Sequence, residues 1–428
     1  MSSNPIIEKF VWHVKFRIEE PLCVSGGADA ATDIDVIKDF DGHPFVPGSS
    51  AAGAFKHYLD ECGEDTDLLG GGSGDDSRMS PLLISDLRFE ANGDMIDERD
   101  GVKLENKRAV DGSKFDMEIV KIGTTGTLEL ELNIREKDKD SREIEWKDQV
   151  LRILGAVNAG DIRLGARKTR GFGRLSVIEV WEKAFSKDNV ESWLEYMPGN
   201  TDGFTSVTVD KERNQALFAS IVFPLRLSGG ISIRRYSARP GAADYETLTV
   251  NGPDRNVSAV VPGSSWNGAI RSRAGEILSD FGVGNVTNIL REWFGYVDEK
   301  ERTAKQSQVY IRESLIRGGT ELEMVRNKID RFSGGMAEGS LYRERSYFEG
   351  DLELELRVKK TCPDWKALCG LLLLIAKDIE KGYLPVGGQT AVGRGIFESG
   401  GEEKNVSRTE EQEYMHALAE FIIERRQG

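Results

Sequence analysis

Residues 45–61 read FVPGSSAAGAFKHYLDE, and residues 260–278 read VVPGSSWNGAIRSRAGEIL. The four residues Pro-Gly-Ser-Ser thus occur twice, at Pro47–Ser50 and Pro262–Ser265. Each copy follows small apolar residues and opens a helix-like stretch that carries a cation, Lys56 in the first and Arg271 and Arg273 in the second. Proline sets the entry to a helix, glycine permits close passage, and serine is a favoured cap for its unpaired amides. A well-capped helix is one reading of such a stretch. A helix N-terminus that faces a phosphate, with a cation beside it, is the other.

The repetition extends outward in both directions. Upstream, Ser25-Gly26-Gly27 and Ser228-Gly229-Gly230 each follow an alternating, strand-like run. Downstream, Trp146-Lys147 and Trp365-Lys366 each start a stretch with apolar residues at helical spacing. Each stretch leads to a glycine-rich loop, GARKTRGFGR at 165–174 and GGQTAVGRG at 387–395, and then to a last strand. Shared motifs in one order at similar spacing indicate a duplication. The turn-rich join near 197–215 divides the chain into domains 1–205 and 206–400, and 401–428 is expected to be a docked C-terminal helix with Met415, Leu418, Phe421 and Ile422 on one face. Strands and helices alternate irregularly within each half. The expected class is α+β, with two tandem ferredoxin-like (RRM-like) βαββαβ domains carrying large insertions. Sheets of this kind can leave the face opposite their helices for RNA.

Bulk properties bound the function. The 428 residues suffice for two domains, and 39% hydrophobic with 30% charged residues is a soluble balance. The longest apolar run, Leu371–Ala376, lies between Lys366 and Lys377, so no membrane span is expected, and without a signal-like N-terminus the expected location is cytoplasmic. The four cysteines form no CxxC pair and the four histidines have no ligand spacing, which argues for reduced thiols and against zinc. A net charge of −15 argues against a free-standing nucleic-acid binder unless cations gather locally. They do so at Arg167, Lys168, Arg170 and Arg174 in the first glycine-rich loop, whereas the second holds only Arg394. Neither loop ends in Lys-Ser/Thr, so neither is a Walker loop.

A further stretch, VRNKIDRFSGGMAEGSLYRERSYFEGDLELEL at 325–356, turns through Gly334-Gly335 into an acidic alternating strand. The first half has a shorter relative, ENKRAVDGSKFDMEIVKIGTTGTLELEL at 105–132. By itself each reads equally well as an exposed hairpin.

Taken together these stretches resemble the RAMP superfamily of CRISPR–Cas systems, and within it the backbone subunit that multiplies along the guide RNA in type III effector complexes. The tandem form is similar to the fused backbone proteins of type III-D-like variants. The resemblance implies that each domain holds a fixed run of guide RNA, and that a thumb-like hairpin wedges into the guide–target duplex. The thumbs fall at about residues 106–118 and 329–345, with Phe115, Phe332, Met336 and Tyr342 as wedges. It also implies that an Asp before the PGSS strand cuts the target RNA, leaving a 2′,3′-cyclic phosphate. The family pattern is Asp, two residues, two apolar residues, a basic residue and Asp. Here DIDVIKD at 33–39 matches it, with Asp33 as the cutting residue and ligand of a divalent cation (Mg2+ or Mn2+), Asp35 as a competitor and Asp39 as the trailing partner. In the second half Asp244 is the nearest match, but Thr249 and Val250 replace the trailing basic–acidic pair, and Arg234, Arg235 and Arg239 crowd the loop. Lys56, Arg167, Lys168, Arg170, Arg174, Arg234, Arg235, Arg271, Arg331 and Arg394 are the expected RNA contacts. The implied partners are guide RNA, target RNA and other type III subunits, and the implied activity is that of a metal-dependent endoribonuclease. A non-cutting structural backbone is one alternative. A guide-processing RAMP endonuclease using a histidine, with His43 and His57 available, is another.

Overall fold

The computed structural model describes residues 4–27, 32–71, 78–90, 93–105, 108–209, 217–235, 243–251, 257–298, 301–401 and 404–426. Residues 106–107 at the first expected thumb tip, Arg239, and part of the expected join (210–216) lie outside them. The chain divides into two compact units. The first comprises residues 1–168 and 172–217, and the second comprises 169–171 and 218–428. Residues 205–206 pair with Glu182 and Trp181, so the short segment after residue 205 belongs to the first unit.

Each unit is a ferredoxin-like βαββαβ fold. In the first, the central strand Ile6–Ile18 pairs antiparallel with Thr125–Arg135 on one side and Leu175–Ser186 on the other. The short strands Leu82–Ile84 and Leu87–Phe89 follow against Thr125–Arg135, and Phe45–Val46 forms the far edge against Leu87–Phe89. Helices Gly48–Glu61 and Lys139–Ala159 supply the two crossovers. The second unit repeats this order. Phe218–Ser228 is flanked by Asp351–Lys359 and Ile396–Ser399, Val309–Ile311 forms the edge, and Gly263–Asp280 and Trp365–Glu380 are the helices.

Strand alternation builds both cores. Phe10, Trp12, Val14 and Phe16 meet Leu128, Leu130 and Leu132, and Phe55, Leu59, Ile153 and Leu154 close over them from the helices. In the second unit Ile221, Phe223 and Leu225 meet Leu352, Leu354 and Leu356 under Leu368, Leu372 and Ile375. The terminal helix Arg408–Arg425 packs so closely on Trp365–Glu380 that a Cβ at Gly370 would fall 2.3 Å from the Tyr414 carbonyl oxygen. No helix among the described residues is long and apolar enough to cross a membrane.

The PGSS stretches begin helices, but not by serine capping. Pro47 and Pro262 are the N-caps, and neither helix has a side-chain cap bond. The serines lie inside the first turn, and the Gly48 amide donates instead to the Asp86 carboxylate at 2.9 Å. Glycine is required for packing. A Cβ at Gly48 would sit 2.3 Å from the Ile84 carbonyl oxygen, and one at Gly263 would sit 2.4 Å from that of Ile311.

The open sheet face expected for RNA is covered in the first unit. His13 and Val11 point away from the helices yet are buried. Tyr196 and Phe204, from the segment after the last strand, lie over His13. His13 Nε2 and Tyr196 Oη are 2.8 Å apart, and Tyr196 Oη donates to Glu129 at 2.7 Å. Burial lowers the His13 pKa, and the Glu129 carboxylate opposes that shift in part.

Candidate nucleic-acid interface

A hairpin is inserted between the second and third core strands of both units. In the first it is Ile96–Glu105 paired with Arg108–Val120. In the second it is Thr320–Arg326 paired with Tyr342–Phe348. The equivalence of the two hairpins fixes what lies beside them.

The loop strand after Ser-Gly-Gly runs parallel to the returning hairpin strand in both units. Ile34 bridges Met117, and Tyr245 bridges Glu344. One residue before each bridge stands an exposed aspartate, Asp33 or Asp244. The Asp116 amide donates to Asp33 Oδ2 at 3.1 Å, and the Arg343 amide donates to Asp244 Oδ2 at 2.7 Å. The two aspartates therefore occupy one structural position, each pinned by the main chain of the same hairpin residue. Among the described residues, Asp244 meets this backbone amide and not a guanidinium. The competitor Asp35 is buried and accepts the Thr32 hydroxyl. Asp39 accepts the amides of Asp41 and His43 at 3.1 and 2.9 Å, so it organises the turn before the PGSS strand.

The glycine-rich loops superpose residue by residue. Leu164 N–H donates to the Gly173 carbonyl and Val386 N–H to that of Gly395, both at 2.9 Å. Arg167 and Gln389 share left-handed φ values of 55° and 56°. A Cβ at Gly173 or Gly395 would lie 1.9 Å from the Leu164 or Val386 carbonyl oxygen, which excludes every other residue there. This alignment sets Arg167, Lys168, Arg170 and Arg174 opposite Gln389, Thr390, Val392 and Ile396. Arg394 has no cationic counterpart. It stands where Phe172 stands and is 9% exposed, with its guanidinium 4.5 Å from the Phe348 ring. Its buried position removes it from the exposed RNA contacts.

Two further expected contacts are engaged elsewhere. Lys56 Nζ donates to the Gly70 carbonyl at 3.1 Å, and Arg271 Nη1 to the Gly295 carbonyl at 2.9 Å. Both glycines hold left-handed φ values, 68° and 73°. Ser80 bonds the carbonyls of Leu68 and Leu82, and Ser307 bonds those of Trp293 and Val309. This paired latch was not recognised in the sequence, although LLG before a later Ser and WFG before a later Ser carry it. Arg273 pairs with Asp378 at 2.8 Å. Arg170, Arg234 and Arg331 are exposed, and Arg167, Lys168, Arg174 and Arg235 are half-buried.

The expected wedges differ from one another. Phe115 is not a tip residue. It pairs across the hairpin with Gly101, where its ring fills the space of the absent side chain, and the Arg167 guanidinium lies 4.7 Å from the ring. The ring is thus engaged by the hairpin and by the Arg167 guanidinium, away from the hairpin tip. Tyr342 is half-buried and sits edge-on to Tyr245. Phe332 is fully exposed and Met336 is 61% exposed. They flank a compact tip in which Asp330 Oδ1 accepts the amides of Phe332 and Ser333 at 3.0 and 2.7 Å. The Ser333 amide and hydroxyl, with the Phe332 amide, hold the Asp330 carboxyl below its usual range.

No curated protein sequence matches the chain. A family model described as the RAMP superfamily matches residues 15–176 and again residues 224–398, one match to each unit and more than half of the chain in all. The chain belongs to the RAMP superfamily of CRISPR-associated, RNA-binding proteins, with one RAMP domain in each unit.

Proposed function

We propose that this protein is a guide-RNA-holding backbone subunit of a type III CRISPR effector complex, and that its first domain cuts complementary target RNA at Asp33. The observation that carries the reading is the shared seat of Asp33 and Asp244 against the hairpin strand. An exposed carboxylate there stands beside the element that the family uses to open a guide–target duplex. The apolar tip around Phe332 and Met336 suits base stacking in the second domain. The cations of the first glycine-rich loop suit the guide backbone.

Cleavage needs no water. The ribose 2′-oxygen attacks the adjacent phosphorus, the bond to the 5′-oxygen breaks, and the proton leaving the 2′-hydroxyl is matched by one taken up at the departing 5′-oxygen. The products are a 2′,3′-cyclic phosphate and a 5′-hydroxyl. Asp33 would orient the 2′-hydroxyl for in-line attack. Its exposed carboxylate also fits a divalent ion, since Mg2+ is commonly held by one or two carboxylates together with water and phosphate oxygens. When bound, such an ion neutralises charge developing at the phosphate. The acidic exterior suits a subunit that grips RNA only along a local basic stripe.

The test is purification of the chain with its genomic neighbours and sequencing of the co-purified RNA. Short RNAs sharing a common repeat-derived tag are expected, and their loss from Arg167→Ala/Lys168→Ala/Arg170→Ala assigns the loop. Absence of any short RNA from the intact assembly would sink the reading.

A further inference from the structure

The loop strand of the first domain is held by more than main-chain pairing. Two alternate residues of the returning hairpin strand, Asp116 and Glu118, turn their carboxylates onto its amides. Asp116 Oδ1 accepts the Asp33 amide at 2.9 Å, and Glu118 Oε2 accepts the Val36 amide at 3.1 Å. Glu118 also holds Lys38 Nζ at 2.8 Å. Because the Asp116 amide donates to the Asp33 carboxylate, Asp33 and Asp116 close a reciprocal ring of two bonds. The second domain keeps the main-chain half of this arrangement and changes the side chains. Arg343 and Arg345 stand at the positions of Asp116 and Glu118, as the paired bridges require. Arg345 turns to Glu246 and Glu323 instead, at 3.5 and 3.0 Å.

We propose that Asp116 is a positioning residue for Asp33, a role that rests on the reading that Asp33 cuts. An exposed carboxylate on a short loop strand has several rotamers open to it, and the strand itself can shift against the hairpin. The reciprocal ring fixes both degrees of freedom. The Asp33 amide cannot move without breaking its bond to Asp116, and the Asp33 carboxylate cannot rotate without breaking its bond from the Asp116 amide. Catalytic groups lose rate steeply when displaced by about an ångström, so a device that fixes both the backbone and the side chain of one residue acts on rate more than on RNA affinity. The replacement of both acidic acceptors by arginine removes the device from the second domain.

The experiment uses the assembled ribonucleoprotein under single-turnover conditions with Mg2+. It follows the product that depends on Asp33, with guide retention and target affinity measured alongside. Asp116→Ala is expected to slow that product about tenfold or more, the equivalent of one lost hydrogen bond to a charged group, at unchanged target affinity. Asp116→Asn still offers an oxygen to the Asp33 amide and is expected to restore most of the rate. Parental cutting by Asp116→Ala would overturn the proposal. So would equal slowing by Asn and Ala, because the charge and not the hydrogen bond would then matter. Survival of the product in Asp33→Ala would remove the cutting role itself, and the proposal with it.

Discussion

The two hairpins are rooted in different materials on the same backbone. In the first domain Phe172 packs with Cys23, Met117 and Ile119 into a small apolar cluster beneath the hairpin. In the second, Arg394 takes the place of Phe172 and Glu344 that of Met117, with Arg326 Nε 3.1 Å from the Glu344 carboxylate. Gly165, Gly171 and Gly173 recur as Gly387, Gly393 and Gly395, all at the positive φ that favours glycine, and the left-handed position between them is kept while its residue changes from Arg167 to Gln389. The side chains they carry were free to diverge. The first domain thus combines a dry hairpin root with a cationic loop. The second has a charged root, a neutral loop and an exposed apolar tip. The cations of the second domain stand at other positions than those of the first glycine-rich loop, among them the exposed Arg234 and Arg331.

Removing the apolar root is expected to have the largest effect on stability. Phe172→Ala should destabilise the first hairpin by about 3 kcal/mol, the usual cost of deleting a buried aromatic ring. Arg394→Met should cost less than about 1 kcal/mol, since a buried guanidinium among Phe348 and Met324 gives up charge that was expensive to desolvate. Hydrogen exchange of residues 108–120 and 342–348 reads the two effects separately. Equal loss of protection in both variants would mean that the roots are equivalent after all.

The paired latches give the next effect. Lys56→Met and Arg271→Met should each cost about 1–2 kcal/mol through the lost bond to a glycine carbonyl. Neither should change the salt dependence of guide binding. Arg167→Ala/Lys168→Ala should flatten that dependence by about one unit per lost phosphate contact. A flattened slope in Lys56→Met would return that lysine to the RNA.

The covered sheet face of the first domain gives the smallest effect. Burial keeps the folded-state pKa of His13 below its unfolded value. The unfolded chain then binds the proton first as pH falls, so the contribution is fully present above about pH 6.5 and is lost as the solution is acidified below it. The parent should therefore lose more stability between pH 8 and pH 5 than His13→Gln does, as denaturant midpoints can record. Parallel pH profiles would exclude His13 as the titrating group.

The sequence made visible what depends on short spacing. PGSS, the Trp-Lys helix starts and the glycine-rich loops each sit within a few residues, and together they were enough for the duplication and the ferredoxin-like order. The position of Asp33 and Asp244 between Ser-Gly-Gly and PGSS was legible for the same reason. Contacts made across the fold were not. Asp116 meets Asp33 from 83 residues away, and His13 meets Tyr196 from 183 residues away. The serines of PGSS misled because proline takes the cap position in both copies, and in the first the Gly48 amide is met by Asp86, 38 residues away. Arg394 looked like an RNA contact because a cation in a glycine-rich loop reads as one, whereas its exact register with Phe172 puts it inside the hairpin root.

The comparison comes to a single point at the two aspartates, which share a seat but not a neighbour. Mapping the ends of a target RNA cut by the assembled complex carrying the parent chain, Asp33→Ala or Asp244→Ala tests it most directly. The account predicts that Asp33→Ala removes one product entirely while guide RNA is retained, and that Asp244→Ala leaves the ladder unchanged within the time in which the parent completes its Asp33-dependent cut. Loss of a distinct, equally fast product in Asp244→Ala, or an unchanged ladder in Asp33→Ala, would contradict it.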